Sequence, residues 1–182
     1  MEEKSNSFFK TAINLGVILG LALIIYSILL FFFNLHLNKY LGYVIYVIII
    51  AFFIWGVKYY RDNNLNGIIS FSKALGLSTL ILLFASVLYN IYSYLLVTVI
   101  DPDYIDKLLL MVEEQLLKQG IPDEQIELGV AMQKKMMKPL LMSLFGFIGM
   151  MFFGFIIALI TSAIVKKEGD PYQSAMQGID EK

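Results

Sequence analysis

Four long stretches of this chain carry no charged side chain. They lie between Lys10 and Lys39, Lys39 and Lys58, Lys73 and Asp101, and Lys138 and Lys166, and hold 28, 18, 27 and 27 residues. About 20 apolar residues suffice to cross the hydrocarbon core of a bilayer, so each stretch can span one. The pattern predicts spans over 11–33, 41–57, 74–98 and 140–165. Each must be helical, because lipid leaves no backbone group unpaired and four segments cannot close a barrel. The first apolar run is too long for the core of a signal peptide, and no small-x-small cleavage site follows it. It is expected to stay as an anchor.

The polar pattern changes between the third and fourth stretches, over 101–138, and there it predicts a helical hairpin. Asp101-Pro102 suits an N-cap followed by proline at the first helical position. Ile105, Leu108, Leu109, Val112 and Leu116 then form one apolar stripe at helical spacing. Gly120 stops this helix, and Pro122 with Asp123 and Glu124 starts the next. In the second helix Ile126, Val130 and Met137 share a face with Gly129 and Gln133, while Lys134, Lys135 and Lys138 crowd the C-terminal end, where the helix dipole favours cations. Leu110, Met111 and Leu117 fall outside the stripe of the first helix. They are expected to rest on the lipid interface or the second helix, with a partner-binding face as the sharper alternative.

Inside the spans, small residues recur every fourth position: Ala12, Gly16 and Gly20 in the first, Gly154, Ala158 and Ser162 in the fourth. That spacing puts each trio on one face, where a neighbouring backbone can approach closely. Packing within the four-helix bundle is the expectation, and a homodimer seam the alternative. Ser78, Ser86 and Asn90 share a face of the third span, with Tyr94 continuing the line, and Asn14 is the comparable residue of the first. A buried amide left unpaired costs about 1–3 kcal/mol, so interhelical hydrogen bonds are expected, against the alternative of a polar lining for a solute path. Tyr89, Tyr92 and Tyr94 fit an aromatic belt at one boundary, and Tyr40, Tyr43, Tyr59 and Tyr60 bracket the second span in the same way.

Composition agrees with the pattern and narrows the chemistry. Hydrophobic residues make up 58 % of the 182 and charged residues 16 %, more apolar surface than a soluble chain of this size can hide. Net charge is −1, so nucleic acid is not an expected partner. There is no cysteine, and the single histidine, His36, cannot form a multi-histidine metal site. Asp101, Asp103 and Asp106 could in principle hold a divalent cation, but caps and dipole partners are the expectation for acids in a first turn. No phosphate-cradling glycine loop, HExxH or G-x-S-x-G motif occurs, and no ionisable residue falls within a predicted span, where pumps and proton-coupled transporters need one. Neither catalytic residues nor cofactors are expected. Lysines and arginines are split eight to six in favour of the side that holds the N-terminus, 58–73 and the tail 166–182. That weak bias puts both termini in the cytoplasm and the hairpin outside.

The stretch YRDNNLNGIISFSKALGLSTL at 60–80 resembles the connection between the second and third spans in the bacterial membrane family known as domain of unknown function 4199. YLLVTVIDPDYID at 94–106 and GIPDEQIE at 120–127 are similar to its outer hairpin, while Ser72 stands where the family often has glycine. The resemblance implies an all-α, four-span protein of the inner membrane, and supplies no activity, substrate or catalytic residue. The expected function is a non-enzymatic accessory or scaffold subunit. It would act by helix packing and through the hairpin, its partners being membrane lipid and another membrane protein or a second copy of itself. The alternative is a small oligomeric channel or permease for a neutral or lipidic solute.

Overall fold

A computed structural model describes residues 2–167, so the expected tail lies, from residue 168 on, outside the described residues. Among the described residues seven α-helices follow in order: α1 (Glu2–Phe32), α2 (Lys39–Gly42), α3 (Val44–Asn64), α4 (Phe71–Leu95), α5 (Tyr104–Lys118), α6 (Asp123–Met136) and α7 (Pro139–Val165). Four helical segments are long and apolar enough to cross a membrane: Ser7–Phe32, Tyr40–Asn64, Phe71–Ile100 and Pro139–Val165. Large apolar side chains remain exposed along them, Ile25 at 58 %, Phe152 at 62 % and Ile164 at 68 %. Water would penalise that surface and lipid does not. This is an all-α membrane protein.

The bundle is built around α4, which packs chiefly against α1 and α7, while α3 lies mainly on α7. Close approach follows from the small residues. At Gly16 a Cβ would sit 2.6 Å from the Phe84 Cβ and 2.9 Å from the Ile81 carbonyl oxygen, so α1 rests on the backbone of α4. Gly20 faces Leu88 and the Ala85 Cα. On the other side Gly154 of α7 receives the Leu82 side chain, 2.6 Å from where its Cβ would be, and Ala158 and Ser162 continue that buried face.

The second span departs from its predicted end at residue 57. Helix α3 runs on through Lys58, Arg61 and Asp62 to Asn64, leaving only 65–70 as connection. Burial explains the extension. Tyr60 is 2 % exposed and packs edge-on against Phe8, with ring centroids 5.6 Å apart, so it belongs to the core and not to an aromatic belt. Arg61 pairs with Asp62 at 2.7 Å and reaches back to the carbonyl of Val165 at 3.3 Å, satisfying a C-terminal group of α7. A two-bond antiparallel bridge between Ile69 and Lys167 closes the same end of the bundle.

Helices α5 and α6 pack on each other and scarcely on the bundle. Gly120 ends α5 with φ +75°, and Ile121 N–H bonds back to the Leu116 carbonyl, five residues earlier. This left-handed stop suits glycine because a Cβ would strain it. Leu109 and Ile126 are the buried contacts of the pair, and an exposed Lys134–Asp106 bridge at 2.9 Å joins the end of α6 to the start of α5. The predicted cap is corrected: α5 begins at Tyr104, with Asp103 in the cap position making no side-chain cap bond. Asp101 has turned inward, for a reason that lies in the preceding turn.

Candidate functional site

Two irregular turns bring polar residues into the end of the bundle next to the hairpin. The first ends α1. Asn34 adopts φ +56°, Leu35 N–H bonds to the Leu30 carbonyl and Asn34 N–H to the Phe31 carbonyl, the bond pair of a Schellman stop. The chain reverses there and His36 folds back over the helix end, its ring centroid 5.1 Å from that of Phe31. Tyr26 Oη donates to the Leu41 carbonyl at 2.8 Å and pins the far side of the turn. The second turn ends α4. Leu96–Ile100 widens into one π-helical turn, and Asp101 N–H closes it on the Leu96 carbonyl at 2.7 Å. Such wide turns re-aim the following side chain and recur at functional sites.

Asp101 is consequently buried, its side chain 7 % exposed. Lys107, from the second turn of α5, donates to its Oδ1 at 2.7 Å. Oδ2 has no hydrogen-bond partner, and neither has Nδ1 or Nε2 of His36, whose side chain is 10 % exposed. The two meet at 3.9 Å between Nε2 and Oδ2, too far for a direct hydrogen bond. Tyr104 closes the cluster with its ring 5.8 Å from His36. Burial pushes the Tyr104 phenol above its usual range and the nearby Asp101 charge adds to this, so it stays a neutral donor at physiological pH.

His36 and Tyr104 line a cavity of about 190 Å³ together with Ser27, Tyr89, Tyr92 and Ser93. A second space of about 290 Å³ adjoins it, sharing Gly42, Ile45, Tyr89, Ser93, Met142 and Ser143. It continues between α3 and α7 along Tyr46, Gly146, Gly149, Met150 and Phe153. The first space offers hydroxyls and an imidazole. The second is largely apolar. Three unpaired buried polar atoms within one cluster cost about 1–3 kcal/mol each unless something satisfies them.

The small-residue trios lie on the buried seams already described, with Ala12, Ala158 and Ser162 each 0 % exposed. Asn90 donates to the Ser143 carbonyl at 2.9 Å, joining α4 to α7. Ser86 donates to the Leu83 carbonyl at 2.9 Å within its own helix and lies 3.4 Å from the Met151 sulfur. Ser78 is fully buried with an unpaired hydroxyl. Asn14 corrects the expectation of a buried amide: it is exposed on α1, turned away from the seam that Gly16 and Gly20 form. Tyr94, at 41 % exposure, also leaves the polar line. Leu110, Met111 and Leu117 are exposed at 59, 42 and 49 %, and Leu128, Met132 and Met136 are exposed on α6. Sequence reasoning missed the pairing of His36 with Asp101. The available signal was a lone histidine in a short turn and an Asp-Pro step closing a 27-residue uncharged stretch.

Fold and site together define an integral membrane protein with a polar recess at one end of its bundle. The chain matches, over residues 14–167, the model of the family described as protein of unknown function DUF4199, and it belongs to that family. Comparison with curated proteins and with solved structures gave no match.

Proposed function

We propose that this protein is a non-enzymatic accessory or scaffold subunit of a membrane complex, with the α5–α6 hairpin as its docking element. The observation that carries the reading is the hairpin's apolar surface. Six large apolar side chains stand exposed on two helices that lean on each other and scarcely on the bundle. A two-helix unit buries too little to need such residues for its own stability. The charge bias of the connections supports an orientation with both termini in the cytoplasm and the hairpin on the other side, in what the family resemblance implies is a bacterial inner membrane.

Copurification from native membranes tests the reading. A stoichiometric larger membrane protein that is lost when Leu110, Met111 and Leu117 become serine supports it, and a homogeneous homo-oligomer without any companion sinks it. The recess favours one second reading, a small oligomeric channel or permease for a neutral or lipidic solute. The homo-oligomer outcome would support that reading instead.

A further inference from the structure

We infer that the end of the bundle opposite the hairpin binds an anionic phospholipid, its phosphate between Lys58 and Lys167 and an acyl chain along Trp55 and Tyr59. The inference stands independently of the docking role of the hairpin, which lies at the other end. It rests on three features.

The first is charge without a counter-ion. In 58–73 and 165–167 the cations are Lys58, Arg61, Lys73, Lys166 and Lys167, and Asp62 is the only acid. Arg61 takes both oxygens of that acid, Nε donating to Oδ1 at 2.7 Å and Nη2 to Oδ2 at 3.3 Å. Lys58 and Lys167 also act on Asp62 through space, so both stand beside it. Neither ammonium makes an ion pair or hydrogen bond among the described residues. Both are exposed, so a phosphate can reach the two lysines that Asp62 leaves unneutralised.

The second is that the backbone carrying these cations is fixed. Lys58 belongs to α3, one turn before Asp62. Lys167 lies past the end of α7, but its N–H donates to the Ile69 carbonyl at 3.0 Å and its carbonyl accepts from Ile69 N–H at 2.9 Å. Arg61 Nη1 joins the two helix ends by donating to the Val165 carbonyl at 3.3 Å. A site assembled before its ligand arrives loses less entropy on binding.

The third is the surface beside the cations. Trp55, Lys58, Tyr59 and Asp62 share one exposed face of α3, at helical spacing of three and four. Trp55 and Tyr59 stack with ring centroids 5.8 Å apart, and Phe52 meets Trp55 edge-on at 5.2 Å. Trp55 and Tyr59 are about half exposed, at 51 and 49 %, near the end of a segment able to cross a membrane. Such rings sit at headgroup level, so the apolar surface offered next to the lysines is one that an acyl chain covers. Free phosphate has no chain to place there. Phosphatidylcholine brings an ammonium of its own, which the lysines repel. An anionic glycerophospholipid meets both requirements.

The single tryptophan of the chain, Trp55, makes the test direct. The full-length protein is placed in phosphatidylcholine vesicles that contain a minor fraction of either phosphatidylglycerol or phosphatidylcholine brominated on its acyl chains. Brominated phosphatidylglycerol is expected to quench Trp55 as strongly as about tenfold more brominated phosphatidylcholine, in line with two lysines acting at the membrane surface. Lys58→Gln and Lys167→Gln together should remove that preference, while Lys118→Gln and Lys135→Gln on the hairpin should leave it intact. Should the first pair fail to fold, high salt on the wild-type protein serves in its place, because it screens the same charges and should abolish the preference. Equal quenching by the two brominated lipids in the wild-type protein, or a preference that survives the Lys58 and Lys167 substitutions or high salt, would overturn the proposal. Loss of the preference in millimolar inorganic phosphate would overturn it too, since the lysines would then be a site for free phosphate.

Discussion

The seam between α1 and α4 makes a demanding prediction at Gly16. A methyl group placed there would lie 2.6 Å from the Phe84 Cβ and 2.9 Å from the Ile81 carbonyl oxygen. Neither neighbour is the free end of a side chain, so the helices themselves must separate by several tenths of an ångström. A radial gap of about 0.5–1 Å forfeits a quarter to a half of each dispersion contact it opens, and this seam is one of the two most extensive in the bundle. Gly→Ala returns up to about 1 kcal/mol of helix propensity, while overpacking of this kind costs about 1–3 kcal/mol. The clash therefore wins, and Gly16→Ala should lower stability, with Gly16→Leu worse. At Gly154 the opposing atoms are the Leu82 methyls, which can turn aside, so Gly154→Ala should be milder than Gly16→Ala. Gly149→Ala meets nothing and should be neutral or slightly stabilising. Thermal unfolding in one detergent, comparing these variants with Ile18→Leu and Phe152→Leu on the exposed face, checks the order. If Gly16→Ala and Gly149→Ala unfold at the same midpoint, the backbone approach of α1 to α4 is wrong.

Three further outcomes are expected. Single cysteines at Asn63 and Gln119, both exposed, should react differently with a membrane-impermeant thiol reagent on intact cells: position 119 labels and position 63 does not, and the reverse pattern would invert the proposed orientation. Lys107→Met leaves the buried Asp101 carboxylate without its ammonium, so it should lower the unfolding midpoint clearly more than Lys134→Met, which breaks an exposed pair worth about 0.2–1 kcal/mol; equal shifts would mean that Asp101 is solvated. Changing Leu110, Met111 and Leu117 together to serine should leave the unfolding of the bundle unchanged while removing a copurifying partner, and a triple variant that keeps every companion would return those residues to the lipid interface.

Much of the fold was legible because lipid makes the backbone simple. A helix is forced wherever about 20 apolar residues run together, and charge-free stretches located all four spans. The hairpin was legible too, since Gly120, Pro122 and the charge placement of α6 all agree on its two helices. Glycine spacing was informative as far as it went. Gly16 and Gly154 face a neighbour, but Gly146 and Gly149, only three apart on α7, face open space. A sequence pattern gives the face of a helix on which a glycine sits and leaves open whether a helix or a groove lies opposite.

The unforeseen site has a physical cause of the same kind. Charges along the chain were read as boundaries, which reports depth along the bundle axis and nothing about direction around it. Arg61 and Asp101 both stand where a boundary was expected, and both turn inward: Arg61 to the end of α7, Asp101 to Lys107 and His36. For Arg61 the inward turn satisfies a helix terminus and leaves the core apolar. For Asp101 it depends on one π-helical turn and one left-handed asparagine, two backbone irregularities that no hydrophobic period encodes. Irregular backbone and unpaired buried polar atoms both cost stability, of order 1–3 kcal/mol for each. The seams carry departures of the same kind, since Ser78 of α4 and Ser162 of α7 each bury an unpaired hydroxyl and Asn66 at the other end of the bundle is also left-handed.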